Sequence, residues 1–238
     1  MKAKSSSRLL IGTAFGISLG LAIVVLSVKG TQPKSVGRAM QLTARWSFFW
    51  FWIAYSGRAL AELFGPFFEP LARRGREFGL AFAAALLVHL GLVITLFVIT
   101  SRPPLTGLFL AIFLAAVVCT YSLALLSFGG LAKALGPRGW YVFRFVAMNY
   151  ILFAFAFDFV RDAFPLDFVR AVLHGGPVYL LAAMRGASTV PVAYGHQRLV
   201  YIPYAALNIA APILIFAAAV HRWLGKRFGQ VGLQPIAD

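Results

Sequence analysis

The chain has 238 residues, 61% hydrophobic and 12% charged, with a mean hydropathy of +0.82; that is more apolar surface than a soluble core of this length can hide. Its net charge of +15 comes from Lys and Arg residues that lie mostly between apolar runs and form no single stripe. This argues against nucleic acid and makes anionic lipid headgroups the simpler partner. One cysteine, Cys119, sits in an apolar run, which excludes an intramolecular disulfide and any multi-cysteine metal site.

The first apolar run, Leu9 to Val28, has about 20 residues, enough at 1.5 Å per residue to cross roughly 30 Å of hydrocarbon. Lys2, Lys4 and Arg8 precede it as in a signal peptide, yet no convincing small-residue cleavage site follows, so a retained helix is expected. Gly12, Gly16 and Gly20 recur every four residues on one face of that helix, and such small-residue stripes let another backbone approach closely. The approaching helix is either another of the same chain or one from a neighbouring subunit.

A second span is expected from Trp46 to Phe64, dense in rings of the kind favoured at the headgroup boundary. Near its end Arg58 and Glu62 are four residues apart, the spacing of a local ion pair; the alternative is that Arg58 holds an anionic group such as a cofactor propionate or a lipid phosphate. Further spans are expected over Phe78 to Thr100, Leu105 to Phe128, Trp140 to Val160 and Tyr201 to Trp223. Between the last two, Asp167 to Val200 is broken by Arg170, His174, Gly175, Gly176, Pro177 and Arg185, so a surface-lying or re-entrant segment is expected there. The fold class is therefore an all-α bundle of about six transmembrane helices forming one domain over residues 1–238, without internal repeats. Under this arrangement the side that carries the N-terminus receives twelve Lys and Arg against nine on the other, which places both termini in the cytoplasm.

His89 lies inside the third span, where no charged side chain stands between Phe78 and Thr100. A titratable group at that depth either donates a hydrogen bond to a neighbouring helix or does chemistry, and an imidazole is suited to ligating heme iron. The stretch R-G-R-E-F-G-L-A-F-A-A-A-L-L-V-H-L at Arg74 to Leu90 resembles the ferric-reductase-like transmembrane family, within it the heme-binding membrane subunit of the bacterial methionine-sulfoxide reductase system. T-A-R-W at Thr43 to Trp46, R-P-P-L at Arg102 to Leu105 and L-G-P-R-G-W at Leu135 to Trp140 follow that family's order and spacing, over about Thr43 to Val160.

The resemblance implies six helices in a bacterial inner membrane and a b-type heme held between histidines on two helices, which carries electrons to a partner on the far side. The first of those histidines maps onto His89. The next two positions hold Arg144 and Phe157, and neither can ligate iron in the usual way, because Arg stays protonated and Phe has no lone pair. Heme b is then bound by His89 alone, or with a second ligand from His174 or His196, or not at all. His221, beside Arg222 at the end of the last span, is a poorer candidate and suits a solvated position.

The fifth span carries Phe143, Phe145, Phe153, Phe155, Phe157 and Phe159. These rings either face lipid, fill the volume a porphyrin would need, or support a planar pigment or quinone. No nucleophile with a base, phosphate loop or paired carboxylates appears, so no catalytic constellation is expected. Too few residues follow the last span for a flavin or nicotinamide domain, so any electron donor is expected to be a separate protein. The leading expectation is an accessory or scaffold subunit of a larger, electron-transfer-type membrane complex. A b-type cytochrome using His89 is the alternative. A transporter is a third class, disfavoured by the scarcity of intramembrane charge and the lack of an inverted repeat.

Overall fold

The computed structural model describes residues 2–101, 107–128, 131–163 and 195–229. Among these residues every regular element is helical. They are α1 (Lys2–Lys29), α2 (Pro33–Phe64), α3 (Glu69–Arg73), α4 (Gly75–Thr100), α5 (Gly107–Ser127), α6 (Gly136–Ala163) and α7 (Gly195–Gly229), with 3-10 turns at Pro66–Phe68 and Leu131–Leu135. The breaks have local causes. Pro33 opens α2, where its missing N–H costs nothing, and Gly65 closes it at φ +82, its amide bonded to the Ala61 carbonyl at 3.0 Å.

Five helical stretches are long and apolar enough to cross a membrane: Ser7–Lys29, Gly75–Thr100, Gly107–Ser127, Leu131–Phe159 and Tyr201–Gly225. The chain is thus a multi-pass helical membrane protein by helix length and hydropathy. The 32 residues of α2 reach about 48 Å, but Lys34, Arg38, Arg45, Arg58 and Glu62 dilute their hydropathy. This helix begins 13 residues before the expected second span, and α7 begins six before the expected sixth. Most of the Asp167 to Val200 stretch, including His174, lies outside the described residues.

The six long helices alternate in direction. Ser7 at the start of α1 donates to Glu77 at the start of α4 (2.8 Å), Arg76 at the start of α4 donates to the Ser127 carbonyl at the end of α5, and Arg222 late in α7 pairs with Glu62 at the end of α2. The beginnings of α1, α4 and α6 and the ends of α2, α5 and α7 therefore share one side, and Arg73, Arg74, Arg76, Lys133, Arg138 and Arg144 cluster there as well.

Side-chain donors tie neighbouring helices at depth, where a free N–H or O–H has no water to turn to. Trp46 Nε1 donates to the Ala14 carbonyl (2.9 Å), Trp52 Nε1 to the Leu207 carbonyl (2.9 Å), Tyr121 to the Ala83 carbonyl (3.2 Å) and Tyr150 to the Ile112 carbonyl (3.2 Å). These bonds and the packing place α2, α4, α5, α6 and α7 in a ring, with α1 outside it against α2 and α4.

The centre of that ring is carbon. Phe48 is fully buried, with centroids 5.2 Å from Phe155, 5.1 Å from Phe159 and 6.1 Å from Tyr204, while Phe51 lies 5.2 Å from Phe82 and 5.7 Å from Phe155. The phenylalanines of α6 divide by face: Phe155 and Phe159 point into this cluster, whereas Phe153 is half exposed outside it and Phe145 borders the opening at the start of the helix. Of the readings open for these rings, the inward pair fills space at the bundle centre and Phe153 adds apolar bulk on the outer face.

Candidate functional site

On the side where α1 begins, the five-helix ring opens into a cavity of about 1250 Å³. Its upper wall carries Arg58 of α2, Arg73 of α3, Arg76 of α4, Arg144 of α6 and Arg222 of α7; its lower wall is mostly apolar, with Thr120 and the hydrogen-bonded pair Tyr55–Asn149 (2.8 Å) as its polar members, and Phe51, Phe82 and Ile151 floor it at the ring cluster. Local sequence explains the convergence. Gly57 lets α3 lie against α2, since a Cβ there would come within 3.2 Å of Leu71 Cβ, and the turn after Gly65 brings the chain back to start α4.

Arg58 and Glu62 pair at 3.2 Å as their spacing suggests, and the same carboxylate also takes Arg222, which no local spacing could reveal. Arg73 pairs with Glu69 at 2.8 Å, and Arg76 is held by the Ser127 carbonyl. Two carboxylates thus form ion pairs with three of the five guanidiniums, a third, Glu77, acts on Arg76 from its bridge to Arg74, and Arg144 makes no ion pair or hydrogen bond among the described residues. The arrangement is suited to holding a multivalent oxyanion, because guanidinium forks match phosphate and carboxylate oxygens.

His89 lies elsewhere. It is partly buried on the α4 face that meets α2, and it lines neither this cavity nor the 330 Å³ apolar groove between α1 and α4. Its Nδ1 is 3.1 Å from the Met40 carbonyl and 3.3 Å from Thr43 Oγ1. A carbonyl only accepts, so we assign the proton to Nδ1 and the lone pair to Nε2, an orientation that ligating histidines also use. The Thr43 hydroxyl spends its own hydrogen on the Ala39 carbonyl (3.0 Å) or that of Met40 (3.1 Å).

The two positions that the resemblance pairs with His89 do not converge on it. Arg144 belongs to the arginine cavity, and Phe157 packs at a tilt against Phe109 (5.4 Å) across the α5–α6 contact and against Phe153 (6.1 Å) of its own helix. His196 is in the first turn of α7, its side chain outside the described residues, and His221 is exposed. Among the described residues no three His, Cys, Asp or Glu side chains come together as a metal site. With one imidazole nitrogen available and rings filling the bundle centre, the described residues do not fit a heme held between two helices.

Gly12, Gly16 and Gly20 have nothing within 4 Å of where a Cβ would stand, so no helix of this chain covers the stripe among the described residues. The chain's own contact uses a second small-residue face, Ala14, Ser18 and Ala22, which is buried, with Ser18 donating to the Ala85 carbonyl at 3.1 Å. That face was legible as a second four-residue repeat. Another missed feature had no sequence signal: the Arg45 guanidinium stacks 4.5 Å above the Tyr201 ring and 5.6 Å from that of Tyr204, across 156 residues of chain. No family model matches the chain, and neither the curated proteins nor the solved structures yield a match.

Proposed function

We propose that the chain is a six-span integral membrane subunit that serves as a structural or accessory component of a larger membrane assembly, on a ferric-reductase-like bundle that has lost its heme site. The observation that carries this reading is the bundle centre. Phe48, Phe51, Phe82, Phe155 and Phe159 fill the space between α2, α4 and α6, with Phe82 of α4 meeting Phe155 of α6 at 6.0 Å, while His89 faces α2 and meets no imidazole from α6. The uncovered glycine face of α1 adds to it, offering a transmembrane helix of another subunit close backbone approach. In this reading α2 is the sixth span, the ring cluster and its ties to α4 and α7 offsetting its charges, and the basic side with both termini faces the cytoplasm of a bacterial inner membrane.

The test is a preparation in mild detergent from native membranes. A colourless sample that copurifies with stoichiometric membrane partners, and loses them on Gly16→Leu without losing monodispersity, supports the scaffold. The orientation of His89, with Nε2 left as the lone-pair nitrogen, favours one rival, a b-type cytochrome that transfers electrons through this residue. A reducible Soret band abolished by His89→Ala would establish that rival and sink the scaffold.

A further inference from the structure

The arginine-walled cavity has a charge excess that the protein itself leaves unanswered. Five guanidiniums from five helices face one opening; Glu62 takes two of them and Glu69 one, Arg76 donates to the Ser127 carbonyl and feels the charge of Glu77, which is itself bridged to Arg74, and Arg144 has no partner among the described residues. Like charges gathered at a membrane boundary repel one another unless a counter-anion sits among them. Below the arginines the wall is mostly apolar, with Leu80, Leu123, Ile215 and Phe216; its polar interruptions are Thr120 and a Tyr55 hydroxyl that donates to Asn149 Oδ1 at 2.8 Å, and it ends on the phenylalanine floor. A cationic rim over an apolar well matches a molecule with an anionic head and a hydrocarbon tail.

We propose that this cavity is a binding site for an anionic phospholipid, its phosphate bridged by Arg144 and Arg76 and its acyl chain laid along Leu80, Leu123 and Phe216. Arg58 and Arg222 flank the head while Glu62 holds them in place. The shared chemistry is a phosphate group, and the apolar lower wall selects the lipid over the free ion. The site does not depend on the chain being a scaffold subunit, since it is built from this chain alone.

Native mass spectrometry of the delipidated, detergent-solubilised full chain tests it by titration with phosphatidylglycerol, phosphatidylcholine and, separately, inorganic phosphate. Retention of one phosphatidylglycerol in preference to phosphatidylcholine is expected. It should weaken about tenfold on Arg144→Gln with Arg76→Gln, and inorganic phosphate at millimolar concentration should not displace it. Glu62→Gln should act in the opposite sense and tighten retention, because it releases two guanidiniums to the head; this keeps the test decisive if the double variant does not fold. Equal retention of both lipids, or indifference to all three substitutions, would overturn the site. Displacement by inorganic phosphate would overturn the lipid and assign the cavity to the free ion.

Discussion

Phe48→Ala probes whether the ring cluster is the mechanical centre of the bundle. The side chain is fully buried, and four rings stand within 6.4 Å of it by centroid: Phe51, Phe155, Phe159 and Tyr204. In a membrane the unfolded reference keeps Phe48 in hydrocarbon, so the transfer part of the usual Phe→Ala penalty of about 3–5 kcal/mol largely drops out. What remains is the unfilled cavity and the lost ring contacts, each worth about 0.5–1.5 kcal/mol. With four neighbours and partial collapse, a loss of about 2–3 kcal/mol is expected. Phe153→Ala is the control, since that ring is 50% exposed on the outer face of α6 and should cost less than about 0.5 kcal/mol. Equilibrium unfolding by SDS in mixed micelles, followed by tryptophan fluorescence, reads both. Equal losses for the two variants would refute the inward cluster, and with it the argument that the bundle centre is already full.

The two small-residue faces of α1 separate in the same assay: Ser18→Leu should cost about 1–3 kcal/mol, because it overpacks the α1–α4 contact and removes the bond to Ala85, whereas Gly16→Leu should leave the isolated chain within about 0.5 kcal/mol of the parent. A larger loss for Gly16→Leu would reverse the faces. Arg45→Ala should destabilise by about 1–2 kcal/mol through the lost stacking on Tyr201 and Tyr204, and Arg45→Lys should recover less than half of it, as the planar guanidinium is what lies on the ring. Full recovery by lysine would show that charge, and not stacking, holds that contact.

Several features were legible before any coordinates. A run such as Leu9 to Val28 admits one physical outcome, because its backbone polar groups in hydrocarbon must be satisfied within the segment. The four-residue spacing of Arg58 and Glu62 marked their pair, whereas the glycine repeat is not the face on which α1 packs against its own chain. Helix ends were less legible. The charged first half of α2 reads as loop on hydropathy, yet Val36, Ala39 and Thr43 are buried against neighbouring helices and continue it as helix.

Composition and hydropathy by themselves determined that the chain is a multi-pass helical membrane protein and where most of its apolar spans lie. These are local properties, set by the free energy of moving each segment out of water. Only the tertiary structure decided that Arg144 joins four other arginines around a cavity, that Glu62 serves two helices, that Arg45 meets Tyr201, and that α1 turns its alanine and serine face inward and its glycines outward. Those depend on which helix faces meet. In a bilayer every face is apolar enough to be buried, so the choice rests on shape, ring packing and a handful of hydrogen bonds.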